Sequence, residues 1–94
     1  MKRKRQPTSV GEMLREEFIE PLGLTQRAFA EHLGLEVKTI NRLVNNKTSL
    51  TPMLAIKLSA ALGTTPEFWM GLQTANDLWE LKNSDIELPE KISA

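Results

Sequence analysis

The 94-residue sequence contains no cysteine, which excludes disulfide bonds and thiolate metal sites. It also has no apolar run near the ~20 residues that a membrane-spanning helix needs. The basic start, residues 1–5, is not followed by an apolar segment, so it does not resemble a secretory signal. A single domain located in the cytoplasm, without membrane contact, is therefore expected.

Patterns of catalytic and cofactor-binding residues are missing as well. The only histidine, His32, lies late in a predicted helix beside an apolar residue and is interpreted as a surface side chain. Glu16 and Glu17 are adjacent on a helix and therefore point apart. No nucleophile elbow, phosphate loop or metal-ligand spacing occurs. The sequence predicts no enzyme, no catalytic or metal-binding residues and no cofactor.

The net charge is zero, but the two halves of the chain differ in sign. Residues 1–48 carry nine Lys and Arg against six acidic residues, which gives +3, and residues 49–94 carry three against six, which gives −3. Such an asymmetry allows one end to face phosphate while the other end meets a different partner.

Five helices are predicted from capping residues and apolar spacing, and no strand-like alternation competes with them. Four side chains are suited to accept hydrogen bonds at helix starts: Ser9, Thr25, Thr51 and Thr65. Pro52 and Pro66 stand at first helical positions, where a missing N–H costs nothing. Gly34 and Gly63 are suited to end the second and fourth helices. Met13, Leu14, Phe18 and Leu22 are expected to form the inward face of the first helix.

The predicted fold is an all-α, five-helix bundle that forms one domain over residues 1–94. Its parts are a basic tail (1–8), a helix-turn-helix (25–46), a long C-terminal helix (66–82) and a polar tail (83–94). The second and third helices are joined by only residues 34–36, and a turn this tight with a glycine predicts a steep crossing.

The third helix has two chemically different sides. Ile40, Leu43 and Val44 fall on one side and are expected to pack inward. Lys38, Asn41, Arg42 and Asn45 follow i, i+3, i+4, i+7 spacing and therefore share the other side. This side combines positive charge with bidentate hydrogen-bonding groups, which is the chemistry that reads base edges in a major groove. The alternative, a polar face that is only solvated, remains open.

Residues 24–47 resemble the Cro/C1 helix-turn-helix of phage repressors in the Thr-Gln helix start, in the spacing of Ala30 and Gly34, in Ile40 and in the Asn-Lys exit. The sequence departs from that pattern at Val37, where a polar residue is frequent, and at Glu36, which replaces a Ser or Thr cap. The resemblance implies phosphate contacts by the start of the second helix, base contacts by the third and backbone contacts beyond it. The implied DNA-binding residues are Thr25, Gln26, Arg27, Val37, Lys38, Thr39, Asn41, Arg42, Asn46 and Lys47.

A second resemblance is carried by residues 63–79, GTTPEFWMGLQTANDLW, and by residues 10–25. Together they resemble the HigA antitoxin family, although the proline common before its Gly-Glu is here Val10. The resemblance covers about residues 9–82. It implies an antitoxin that neutralises a HigB-like toxin, which is a RelE-like, mRNA-cleaving ribonuclease, and that represses its own operon.

The fifth helix is apolar on two sides. Phe68, Leu72, Ala75 and Trp79 form one stripe, which is expected to pack on the bundle. The second side and the tail are predicted to bury against another copy of the chain: Met70, Leu78, Leu81, Ile86 and Leu88. Alternatively, the tail folds back over this side. A two-fold homodimer places two recognition helices ~34 Å apart, as a palindromic DNA operator requires.

Two further functional hypotheses remain open at this point. One is a stand-alone phage-type repressor without a toxin, and the other is an interaction module that no longer binds DNA. The basic run Lys2–Arg5 has three interpretations: a solvated tail, an arm that contacts DNA, or a strap that contacts the toxin.

Overall fold

A computed structural model describes residues 5–93 and contains helices only in that part of the chain. Helix α1 (Val10–Leu14) continues directly into a π-helical turn (Arg15–Ile19). It is followed by α2 (Gln26–Leu33), α3 (Val37–Val44), α4 (Pro52–Leu62) and α5 (Pro66–Lys82). The all-α, five-helix prediction is confirmed.

The predicted capping residues begin the helices through side-chain hydrogen bonds. Ser9 Oγ accepts from the Glu12 N–H at 3.0 Å, and Thr25 Oγ1 accepts from the Ala28 N–H at 3.0 Å. Thr51 and Thr65 do the same for α4 and α5. Gly34 ends α2 with a φ of 72°, a backbone conformation that costs glycine little because it has no Cβ.

The first helix differs from the prediction because of its π-helical turn. The Glu20 N–H donates to the carbonyl of Arg15 at 3.0 Å, which spans five residues rather than four. The extra residue shifts the inward face, so Leu14 and Ile19, which are five residues apart, are both buried. Leu22 was expected to face inward, but it is 59% exposed.

The hydrophobic core joins α1, α2, α3 and α4 to the first turn of α5. Trp69 is fully buried, and its ring lies 5.5 Å from that of Phe18 between centroids. Its Nε1 donates to Thr64 Oγ1 at 2.6 Å, which satisfies the indole N–H inside the core. The buried apolar residues are Val10, Leu14, Ile19, Phe29, Ala30, Leu33, Ile40, Leu43, Val44, Leu50, Ala55, Leu58 and Trp69.

The inward side of α5 is only partly the predicted one: Leu72, Ala75 and Trp79 are half-buried, but the most buried residues lie beside that stripe. Trp69 and Asn76 are buried with Leu72 half-buried between them, whereas Phe68 is 39% exposed. The prediction that Phe68 belongs to the inward stripe was wrong. A prediction from apolar residues alone does not assign a buried position to an asparagine, and here Asn76 is buried. The Asn76 amide donates to the carbonyl of Thr8 at 2.8 Å and accepts from Gln6 Nε2 at 3.2 Å. Part of the predicted N-terminal tail is therefore fastened to α5.

The C-terminal tail does not fold back over α5. Residues 83–93 form no helix and are exposed throughout, and Leu78 and Leu81 stay exposed beside them. The fold-back alternative is therefore wrong for this part of the chain.

Helix α1 lies very close to the end of α3 at Gly11. A Cβ at this buried position would meet backbone oxygens at the end of α3, with the Leu43 carbonyl at 2.7 Å. Since the obstructing atoms belong to backbone, they cannot move aside without shifting α3. Only glycine allows α1 to lie this near the end of α3.

We predict that Gly11→Ala lowers the free energy of unfolding by about 1–3 kcal/mol, because the added methyl overpacks the contact between two backbones. Urea denaturation measures this change. Gly71→Ala is the matched control, since a Cβ there meets open space on α5. It should raise stability by up to about 1 kcal/mol through helix propensity. Equal stability of the Gly11 variant and the wild type would contradict the close approach.

Candidate nucleic-acid interface

Helix α3 turns its aliphatic side into the core and its polar side outward. Ile40, Leu43 and Val44 are buried to within a few per cent. Lys38, Asn41, Arg42 and Asn45 are all exposed along the opposite side. The predicted burial of the aliphatic side is confirmed, and the polar side is free of the protein's own covering over residues 5–93.

The start of α2 and the middle of α3 meet at the polar surface. Asn41 Nδ2 donates to Gln26 Oε1 at 3.2 Å. Gln26 is half-buried and Arg27 beside it is exposed, while Thr25 uses its hydroxyl as the helix cap. Side chains that sequence analysis assigned to phosphate and to bases are therefore adjacent in space.

Two predicted DNA-binding residues at the start of α3 are only partly accessible. Val37 is half-buried and packs against the core, and Thr39 is half-buried too. Glu36 precedes α3, but its side chain makes no capping hydrogen bond. Lys38 is therefore the most accessible side chain of the first helical turn.

The turn after α3, residues 45–48, is tied to the helix and to α1. The Lys47 N–H donates to the carbonyl of Arg42 at 2.8 Å, and Arg42 Nη2 donates to the carbonyl of Lys47 at 3.2 Å. Asn46 adopts a φ of 55°, and its Oδ1 accepts from the Gly11 N–H at 3.2 Å. Its Nδ2 donates to Ser9 Oγ at 3.1 Å. The Asn46 side chain thus joins this turn to the start of α1.

The positive charges of this surface have no carboxylate partner in the part of the chain that the structure describes. The ion pairs found over residues 5–93 join Arg15 to Glu16 and Glu20, at the π-helical turn. Lys38, Arg42 and Lys47 are exposed and unneutralised there. Unpaired surface cations of this kind attract phosphate in a salt-dependent way.

A separate apolar surface lies on α5 and the tail. Leu78 is 49% exposed and Leu81 52% exposed, and Ile86 and Leu88 are exposed beyond them. Met70, which was grouped with them, is half-buried and packs against the core. The structure therefore separates Met70 from the other four residues of the predicted set.

A second exposed apolar stripe, which was not predicted from the sequence, lies on α4. Met53 and Ile56 are both more than half exposed, and Ala60 follows them on the same side of the helix. The i, i+3, i+7 spacing of these residues was the signal that could have found it. The exposed Ile92 in the tail was also missed.

The N-terminal basic run is described only from Arg5 onward. Arg5 lies beside α5 in a depression with Pro7, Trp79 and Lys82. The remainder of the run, residues 2–4, lies outside the described residues, so its three interpretations stay open.

The described residues contain no cluster of metal-ligating side chains and no helix that could span a membrane. Within residues 5–93, no group of three or more acidic or histidine side chains is arranged to hold a metal ion. The helices described there are too short or too polar to cross a membrane.

Similarity to known proteins shows the class of protein to which this chain belongs. Residues 14–69 match the helix-turn-helix family, in agreement with the geometry of α2 and α3. Antitoxin HigA-1 of Vibrio cholerae is 54% identical over 82 residues, which are 87% of this chain and 77% of that protein. The chain belongs to the HigA-type antitoxins, which are helix-turn-helix regulators.

Two solved structures extend the comparison to the fold. The antitoxin HigA of Pseudomonas aeruginosa, solved with higBA promoter DNA, is 31% identical with a TM-score of 0.77, and the match covers 80% of this chain and 82% of that one. The antitoxin GraA in complex with its operator is 36% identical with a TM-score of 0.74, covering 96% and 99%. The relatives are antitoxins and transcriptional regulators, in agreement with the prediction that the chain is not an enzyme.

Proposed function

We propose that this HigA-type antitoxin binds a palindromic operator as a homodimer, represses its own operon in the cytoplasm and neutralises a HigB-like, mRNA-cleaving toxin. The observation that carries the DNA-binding part is the exposed Lys38–Asn41–Arg42 side of α3, opposite a fully buried aliphatic side. The two relatives solved with promoter or operator DNA support the same partner for this chain.

In this proposal α3 reads base edges in the major groove. The Asn41 amide has one donor and one acceptor, which complement the N7 acceptor and the N6–H donor of adenine. The Arg42 guanidinium can donate to both acceptors of guanine, N7 and O6. In the free protein both groups are engaged locally, Asn41 with Gln26 and Arg42 with the Lys47 carbonyl. These contacts hold the two side chains close to the surface that meets DNA.

Phosphate contacts come from residues at the edges of the same surface. Gln26 lies at the start of α2, where free backbone N–H groups favour an anion. Lys47 lies in the turn after α3, exposed and without an ion-pair partner in the described chain. Such contacts fix the register of the protein on the duplex, while α3 supplies sequence preference.

We expect Arg42→Ala to lose about 1–3 kcal/mol of specific binding free energy and to relax base preference at one position of each half-site. Fluorescence anisotropy with the operator upstream of the gene, and with operators substituted at single positions, measures both effects.

Lys47→Ala provides the comparison for the Arg42 variant. Because Lys47 is assigned to phosphate, its removal should weaken all sequences alike and flatten the salt dependence by about one unit per subunit. Base readout by Arg42 is disproved if Arg42→Ala retains the wild-type base preference or weakens every sequence equally, as Lys47→Ala should.

The homodimer is proposed to form through the exposed apolar side of α5 and the tail. One α3 contacts only a few base pairs, and joining two half-site contacts multiplies affinity through effective concentration. Leu78 and Leu81 are each about half exposed, three residues apart on one side of α5. Burial of such a surface against a second copy removes it from water.

Leu78→Glu/Leu81→Glu should give a monomer in sedimentation velocity and weaken operator binding by about a hundredfold or more, since the second half-site contact is lost. Met53→Glu is the matched control, because Met53 is also an exposed apolar residue but lies on α4. A dimer that survives the double substitution and dissociates with Met53→Glu would move the interface to α4.

A toxin partner is proposed from the similarity to HigA-1 antitoxin. Affinity-tagged protein produced in its native cell should co-purify with a small protein encoded next to its gene. That protein should cleave mRNA when it is produced alone and should be inhibited by the antitoxin. If no neighbouring protein is recovered and no adjacent reading frame is toxic, the chain is a stand-alone repressor.

A further inference from the structure

Helix α5 holds the polypeptide that follows α3 through one glutamine. Gln73 Oε1 accepts a hydrogen bond from the Leu50 N–H at 2.8 Å. Gln73 Nε2 donates to Asp77 Oδ1, one helical turn later, at 2.9 Å. Leu50 is 4% exposed, so its N–H has little access to water and depends on this acceptor.

The segment that Gln73 holds carries two of the predicted DNA-backbone contacts. Residues 45–51 connect α3 to α4 and include Asn46 and Lys47. Arg42 fastens the segment at Lys47, and α1 fastens it at Asn46. Gln73 fastens its far end at Leu50. The three attachments come from three different helices, and each fixes a different point of the segment.

A polar groove of about 340 Å³ separates this segment from α5. Lys47, Thr48 and Ser49 line one side of the groove. Gln73, Asn76, Asp77 and Glu80 of α5 also line the groove, so Lys47 shares it with two carboxylates. If the end of the segment detached from Gln73, Lys47 would keep only its attachments through Arg42 and Asn46. Its side chain would then have more freedom to turn toward the carboxylates and away from a phosphate.

We propose that Gln73 is a positioning residue for operator binding, which sets the place of Lys47 by anchoring Leu50 to α5. The proposal rests on the proposed function in one respect, namely that Lys47 contacts phosphate. Asp77, which accepts a hydrogen bond from Gln73, is followed directly by Leu78 of the proposed dimer interface.

The test first removes the hydrogen bonds of Gln73 to Leu50 and Asp77 and then restores them with a different pair of side chains. Gln73→Ala removes the acceptor of the Leu50 N–H and should weaken operator binding about two- to tenfold, the range for one hydrogen bond. Gln73→Glu keeps an acceptor but sets a carboxylate against Asp77, so it should also weaken binding. In the double variant Gln73→Glu/Asp77→Asn, the new amide donates to the new carboxylate, which still accepts from the Leu50 N–H. The double variant has the wild-type net charge and should restore affinity.

The salt dependence distinguishes positioning from a general loss of structure. If Gln73 acts by setting Lys47, Gln73→Ala should flatten the salt dependence as Lys47→Ala does, and adding it to Lys47→Ala should change affinity little further. Thermal unfolding of each variant verifies that the operator measurements report on folded protein.

Three outcomes would overturn the proposal. They are wild-type affinity and salt dependence in Gln73→Ala, a double variant as weak as Gln73→Glu alone, and full additivity of Gln73→Ala with Lys47→Ala. If wild-type protein binds no operator DNA, the proposed function fails first. If wild-type protein binds and only the Gln73 results depart from expectation, the positioning role alone is wrong.

Discussion

The burial of one side of α3 determines the direction of the other. Ile40, Leu43 and Val44 are held by the core, so the polar side of the same short helix must face outward. An eight-residue helix has little stability of its own in water, and its formation depends on that packing. A substitution that weakens the core packing of α3 should therefore also disturb the side chains that are proposed to face DNA.

The close contact between α1 and α3 fixes the position of the C-terminal end of α3. Gly11 lets the two backbones approach, and Asn46 then joins the turn after α3 to the start of α1 by two hydrogen bonds. Asn46 has a positive φ, which asparagine tolerates better than most residues. The backbone geometry of the turn and the side-chain contacts of Asn46 thus favour the same structure.

Helix α5 contributes to both the core and the polar surface of the molecule. Trp69 fills the core, Asn76 holds the N-terminal segment, and Gln73 holds the segment after α3. These side chains lie on the part of α5 that faces the bundle, while Leu78 and Leu81 face outward. A single helix can therefore join the proposed dimer surface to the proposed DNA surface without a further domain.

The sequence by itself determined the helices and the two sides of α3. N-terminal caps such as Thr25 and C-terminal glycines such as Gly34 act on residues only a few positions away, so the helix ends can be predicted from the sequence. The polar face of α3 follows from a period of 3.6 residues in the same way. These features are local, and the structure confirms the helix starts and the burial of the aliphatic side.

Only the tertiary structure decided the phase of α1 and α5 and the anchoring of the turn after α3. A π-helical turn changes which residues of the first helix face inward. In α5 the polar residue Asn76 is buried, although the apolar spacing predicts other residues there. Gln73 and Leu50 are 23 residues apart, and their contact exists because α5 packs against α4, which begins just after Leu50. Hydrogen bonds between distant segments leave no periodic trace in a sequence, since each depends on where packing brings the two chain segments together.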